Sequence, residues 1–193
     1  MGFEVKNLIL DVVIFLINNT HKMNKDSDKI CEARIQKPRV SLEEGLTVIN
    51  SGIDKWIKCV WYDGPMFDNK DFMTTFAMVY ELSHTHTDPD VIIYAKEMYA
   101  HYNQTVIRVF IENSMSKITS ASEDELYVVA KEQWSCFKLF TKWLNNFFGY
   151  VDRFYTKRQG LPRIKGGATE ERIFKEKVSS LLTEETINEI MST

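Results

Sequence analysis

Three groups of side chains have the right types for chemistry. His84, His86 and Asp88 alternate along SHTHTDP, so one loop could offer two imidazoles and a carboxylate to a divalent metal. With His101 near the same cleft, they would make a small helical metal-dependent enzyme. The plainer use of this loop is structural. Asp88 followed by Pro89 reads as a helix cap and first helical residue, which already occupies the carboxylate. Asp152 and Arg153 pair a carboxylate with a guanidinium, and a local ion pair or an anchor to the next loop accounts for them better than acid–base catalysis. Cys31, Cys59 and Cys136 are odd in number and far apart. Free buried thiols in a reducing compartment are expected. No Gly-rich phosphate loop, HExxH, CxxC or G-x-S-x-G elbow occurs.

These residues are carried by helices. In 193 residues, an apolar share of 44% allows a real core, and eight glycines and four prolines favour an all-α chain. A formal net charge of -3 with interspersed signs argues against a nucleic-acid partner. The run Leu8–Ile17 is interrupted by Asp11 and is far below the ~20 residues needed to span a bilayer. It reads as a hydrophobic arm or extension rather than a leader or lipidation signal, so no membrane partner is expected. The sequons at Asn18 and Asn103 matter only in a secreted protein. Residues 1–40 form an N-terminal extension and linker, ending near Lys37-Pro38.

Ser41 and Glu44 form a capping box, in which the serine accepts from the N3 amide and the glutamate reaches back to the cap. Leu42, Leu46, Ile49, Ile53, Trp56, Ile57 and Val60 continue at helical spacing to about Trp61. The YDGP turn stops this helix. Asp68 can cap a second helix, which carries Phe72, Phe76 and Val79 on one stripe and Met73, Ala77 and Tyr80 on the next. A third runs from Pro89 to about Asn113. After a polar loop, SMSKITSAS, Ser122 and Glu125 suggest a second capping box. From there to Tyr155 the only glycine is Gly149. One helix of that length would be unusual, so the expectation is a helix from about Glu123 to Lys138 and another from there to Tyr155. Lys157–Gly167 is a basic linker. Ile173, Phe174, Val178, Leu181 and Leu182 mark a further helix, and Thr183 caps a short last one. This pair could pack on the end of the bundle or begin an incomplete repeat.

The densest aromatic stretch is Trp134–Tyr155. With the second helix it presents Phe72, Met73, Phe76, Phe140, Trp143 and Phe147, more apolar area than one core comfortably uses. Either this is all core, or part of it binds a protein. Lys157, Arg158, Arg163 and Lys165 could meet an acidic partner or nucleic acid, but a solvated linker face is the simpler reading.

The string WLNNFFGYVDRFYTKRQGLP, Trp143 to Pro162, resembles the end of the first repeat of a cullin, in particular the cullin 1-type proteins of plants. There an aromatic-aromatic-x-Tyr-Leu-Asp-Arg-Tyr/Phe string closes the fifth helix, matched here by Phe147 to Phe154. LEEGLTVINSGIDKW resembles the family's first helix and FMTTFAMVY its second. Trp134 stands at the family's fourth-helix tryptophan, and ERIFKEKVSSLL resembles the opening of a second repeat. The resemblance runs from about Ser41 to Leu182.

It implies a five-helix cullin repeat over 41–156, a linker over 157–167 and partial second-repeat helices over 168–193. Cullins are scaffolds of ubiquitin ligases, so the implied role is a truncated scaffold module in ubiquitin-dependent protein catabolism, without enzyme activity or cofactor, in cytoplasm and nucleus. In cullin 1-type proteins the second and fifth helices bind a Skp1-type adaptor, and through it F-box proteins. Carried over, the adaptor contacts are Phe72, Met73, Phe76 and Tyr80, with Phe140, Trp143, Leu144 and Asn145. Lys138 and Lys142 would be rim charges. Phe72 and Phe76 each lack a hydroxyl the family has, and Thr75 replaces a leucine. The later stalk repeats and the parts that recruit a RING subunit have no counterpart, so RING binding is not expected. The metal-dependent enzyme, and a homo-oligomer that buries the fifth-helix face against itself, are the alternatives.

Overall fold

The computed structural model describes residues 40–83, 89–166 and 168–192. The chain divides into two units, Met1–Lys37 and Pro38–Thr193, and the described residues belong to the second. The N-terminal extension with Leu8–Ile17, Asn18 and Cys31 lies outside them, as do His84, His86 and Asp88.

The described residues are helical and contain no strand. The order is α1 (Leu42–Trp61), α2 (Asn69–Ser83), α3 (Pro89–Val109), a π-helical segment (Phe110–Met115), α4 (Ser116–Ser120), α5 (Leu126–Phe147), α6 (Gly149–Val151), a second π segment (Asp152–Thr156), α7 (Lys157–Gln159), α8 (Ala168–Val178) and α9 (Glu184–Met191). The all-α class is as expected. Its divisions differ in two places.

The stretch SMSKITSAS is helical up to Ser120 rather than a loop. Ile118 is fully buried there and holds the turn to the core. Thr119 and Ser120 fold their hydroxyls back onto the Met115 and Lys117 carbonyls, which removes them as competitors for the backbone. Second, no break occurs near Lys138. Leu126–Phe147 is one helix of 22 residues, and the interruption comes at Phe148, just before Gly149. Nothing around Lys138 breaks a helix, and the surrounding elements bury this one on nearly every side.

The helix starts show why the sequence folds this way. At α1 the Glu44 amide donates to Ser41 Oγ (3.2 Å) and the Ser41 amide donates to Glu44 Oε2 (3.0 Å), so the box is complete. At α2 the Asp71 amide donates to Asp68 Oδ1 (2.8 Å). At α9 the Thr186 amide donates to Thr183 Oγ1 (3.3 Å). The expected second box is not formed: Ser122 Oγ donates to the Glu125 carboxylate, but the Glu125 amide goes to the Ser122 carbonyl (3.1 Å), a turn ahead of α5.

α5 is the axis. Trp56 of α1 lies on Trp143 (4.8 Å between ring centroids) and Trp61 on Phe140 (5.5 Å), so the two helices run antiparallel. Both indoles are satisfied, Trp56 by the Phe140 carbonyl and Trp61 by Gln133 Oε1. Phe67, in the turn after α1, is 5% exposed and packs against Trp56, Trp143 and Phe147. On another side, Phe110 meets Phe137 (4.8 Å) and Phe174 of α8, while Trp134 stacks near Phe174 (4.8 Å). Tyr127 donates to Glu189 of α9 (2.7 Å). The last two helices therefore pack on α5.

α1 and α2 meet with unusual closeness. A Cβ on Gly45 would come 2.6 Å from Leu82, and one on Gly52 would come 1.9 Å from Thr75 Oγ1. Thr75 is 1% exposed and its hydroxyl donates to the Asp71 carbonyl. It fills the notch at Gly52 and is no part of the outer surface, so this position sets helix spacing rather than partner contact. Overpacking a tight core typically costs about 1–3 kcal/mol. Gly52→Ala should lower stability by about that much in urea unfolding, and adding Thr75→Ala should recover part of the loss.

Candidate functional site

α2 turns two faces in two directions. Phe72, Thr75, Val79 and Leu82 face inward. Met73 is 49% exposed, Ala77 is exposed, and Phe76 and Tyr80 are half-buried. At spacings of three and four, Met73, Phe76, Ala77 and Tyr80 share the outer face.

Beside that face lies the segment after the break. Tyr150 of α6 meets Tyr80 edge-on at 4.8 Å between centroids, and Phe154 of the second π segment lies 4.3 Å from Tyr150. Phe76 is stacked on Phe72 at 6.0 Å. Phe72 with Phe76, and Tyr80 with Tyr150 and Phe154, thus form two runs of rings along the outer stripe of α2, a ladder whose last four members are half-buried. Lys70, Arg153 and Lys157, at its ends by sequence, are exposed.

The expected contacts divide accordingly. Met73, Phe76 and Tyr80 lie on the accessible face. Phe72 (9% exposed) packs edge-on against Trp143 (5.2 Å) and supports the face from beneath. Phe140, Trp143 and Leu144, at 0–2% exposure, are core. Trp143 is enclosed by Trp56, Phe67, Phe72 and Phe147. Asn145 (9% exposed) accepts the Tyr102 hydroxyl (2.7 Å), turned toward α3 rather than α2. Most of the apparent surplus of apolar area is therefore used inside, where Phe67 joins it, and Met73 and Phe76 are what remains outside. Lys138 lies over the Trp134 ring, on the side of α5 that meets α8, so it does not rim the α2 face. Tyr150 and Phe154 fall within the expected fifth helix but not among its expected contacts, because which side of that stretch faces α2 depends on packing and not on spacing. Gly149, the one glycine of the stretch, was the signal for the place of the break.

Asp152 fixes the ladder's lower end. It is 1% exposed, and its carboxylate accepts from Arg163 Nε (2.9 Å), Arg163 Nη2 (2.7 Å) and the Ile164 amide (2.7 Å), with the Thr156 hydroxyl at 3.2 Å. Asp152 is an anchor to the following loop, as one reading of the sequence expected. Gly160, in the left-handed region at φ 62°, turns the chain back to make this contact. Burial alone would raise the Asp152 carboxyl. The Arg163 hydrogen bond, the Ile164 amide, the Arg163 charge and the Thr156 hydroxyl together outweigh it and hold the group below the ordinary aspartate range.

No group of three His, Cys, Asp or Glu side chains could hold a metal among the described residues. Cys59 and Cys136 are free and half-buried. His101 is kept neutral by burial and then by Arg108, and its ring lies against Phe148 (6.4 Å). No helix among the described residues is long and apolar enough to cross a membrane.

The family model of the cullin alpha solenoid domain matches residues 53–193. The chain belongs to the cullin family. Among cullin relatives, it is 25% identical over 131 residues to "Putative cullin-like protein 1" of Arabidopsis thaliana, covering 67% of this chain and 18% of that one. It is 24% identical over 131 residues to "Putative cullin-like protein 2" of the same plant, covering 67% and 34%. To Cullin-1 of Oryza sativa subsp. japonica it is 22% identical over 132 residues, covering 67% and 17%. The matched region spans 17–34% of the length of these cullin relatives. No solved structure matches the chain significantly.

The anchor at Asp152 has a measurable pH signature. The folded Asp152 carboxyl binds its proton less tightly than the unfolded one, so its contribution is complete above the ordinary aspartate range and is lost as pH falls through the folded value. Arg163 is 53% exposed, which screens its charge and leaves the hydrogen bonds as the main source of stability. Asp152→Asn should cost about 2 kcal/mol at neutral pH. In urea titrations the difference between wild type and variant should shrink below pH 4 (roughly the ordinary aspartate value).

Proposed function

We propose that this chain is a cullin-like scaffold module that binds a Skp1-type adaptor through the outer face of α2 and the Tyr150–Phe154 segment. F-box proteins would associate through the adaptor, and the setting would be ubiquitin-dependent protein catabolism in cytoplasm and nucleus. The role is assembly rather than catalysis. One observation carries the reading: in a chain of the cullin family, Met73, Phe76, Tyr80, Tyr150 and Phe154 form one accessible aromatic and methionine surface on the two helical segments where the family resemblance expects its adaptor. Aromatics and methionine are enriched in the cores of protein interfaces.

The surface favours a partner with an apolar ridge and acidic flanks. Lys70, Arg153 and Lys157 would steer such a partner and change its association rate more than its final affinity. Phe140, Trp143, Leu144 and Phe72 contribute indirectly, by holding α2 and α5 in register. The hydroxyl missing at Phe72 falls at a position packed inside. The one missing at Phe76 falls on the contact face, where a lost hydrogen bond is worth on the order of 1 kcal/mol.

Calorimetry of the intact chain with a Skp1-type adaptor tests this. Phe76→Ala and Tyr150→Ala should each weaken binding at least tenfold, about 1.4 kcal/mol, with unchanged helicity by circular dichroism. Trp143→Ala should instead lower the melting temperature sharply. Absence of binding by the well-folded wild type at roughly 100 μM, some 5.5 kcal/mol, would reject the adaptor reading. Binding unaffected by either surface substitution would reject the assigned face.

A further inference from the structure

The junction between α8 and the rest of the bundle contains a carboxyl group that no role so far explains. Glu170 is the third residue of α8 and is 7% exposed. Its neighbours on α8, Ile173, Phe174 and Val178, are at most 2% exposed and seat the helix against Trp134 and Phe110. The Glu170 carboxyl faces the side chains of Asn145 and Thr141 on α5. Its Oε2 has no hydrogen-bond partner.

Proton counting shows which state fits this environment. The Asn145 oxygen accepts the Tyr102 hydroxyl (2.7 Å), and its amide hydrogens can be donated to Glu170. The Thr141 hydroxyl spends its hydrogen on the Phe137 carbonyl (3.0 Å) and so offers Glu170 a lone pair. A carboxylate would set a negative charge against that lone pair with one oxygen unsatisfied. A carboxylic acid can donate to Thr141 while accepting from Asn145. Burial raises the Glu170 carboxyl; hydrogen bonding to its own backbone, Asn145 and Thr141 lowers it without cancelling that rise, the like-charged Glu171 adds to the rise, and no cation acts on it among the described residues. Tyr102 of α3, itself pushed far upward by burial first and then by Glu170 and Asp152, shares the same pocket.

We propose that Glu170 is a proton-controlled latch between α8 and α5. Protonated, its carboxyl closes α8 onto the bundle through Thr141 and Asn145. Ionised, it is driven toward water, and the start of α8 loosens while Phe174 remains the inner anchor. Phe174 seats α8 on Trp134 and Phe110, so the latch would make the seating of the helices after residue 167 sensitive to pH.

The sign of the effect separates Glu170 from His101, the histidine next to Tyr102 in the sequence. Burial raises Glu170 above the ordinary carboxyl range, so its stabilisation is present at low pH and is lost as pH rises through its folded value. His101 is lowered by burial, so its contribution is lost as pH falls. Hydrogen exchange of the full chain, corrected for intrinsic rates, reads α8 directly. Between pH 5 and 8, roughly spanning the ordinary carboxyl and histidine values, protection of residues 168–178 should fall about tenfold with rising pH, while α1 and α5 stay protected. Glu170→Gln, which mimics the acid, should hold α8 protection high and flat. Wild-type protection that stays flat or rises with pH would overturn the latch. So would the same fall in Glu170→Gln.

Discussion

The Trp143 ring is the contact on which this bundle depends. It sits between Trp56 of α1, Phe67 of the following turn, Phe72 of α2 and Phe147 of its own helix, at centroid distances from 4.8 to 6.3 Å. Removing it would open a cavity among four other rings at once, and the cost of such a deletion grows with the space left behind. The outer face of α2 inherits its position from this cluster. Phe72 touches Trp143 on one side and Phe76 on the other, so the first accessible ring is one contact away from the centre.

The two π-helical segments adjust the other neighbours to the same axis. A π turn advances the register relative to an ordinary helix and so re-aims the residues that follow. The first begins at Phe110, which lies between Phe137 and Phe174, and it holds Asn113, whose oxygen accepts the Tyr62 hydroxyl from the end of α1 (2.9 Å). The second begins at Asp152, whose carboxylate collects the returning loop. Each bulge lies where an aromatic helix must serve two partners at different heights along α5.

Much of the fold was legible in the sequence because it was written in local chemistry. Ser41 with Glu44, Asp68 with Asp71, and Thr183 with Thr186 announce helix starts through single hydrogen bonds that depend on nothing distant. What was not legible depended on burial. The continuity of α5 through Lys138 is enforced by neighbours on several sides, and the helicity of Ser116–Ser120 by the buried Ile118. The candidate surface was half readable for the same reason. The α2 stripe of Met73, Phe76 and Tyr80 follows from period alone, whereas Phe140, Trp143 and Leu144 could be sorted into the interior only once Trp56, Trp61 and Phe67 had been placed opposite them.

The meeting of Gly52 with Thr75 has a consequence for how this chain can diverge. A helix that rests on a bare backbone, with a threonine filling the notch, is not an exchangeable part. A relative carrying leucine at the position of Thr75 must hold its first two helices further apart, and a segment transplanted from it would sit at the wrong height over α1. Changes at these two sites are therefore expected to be inherited as a pair, and the outward stripe of α2 can drift in composition only while this inner seat is kept.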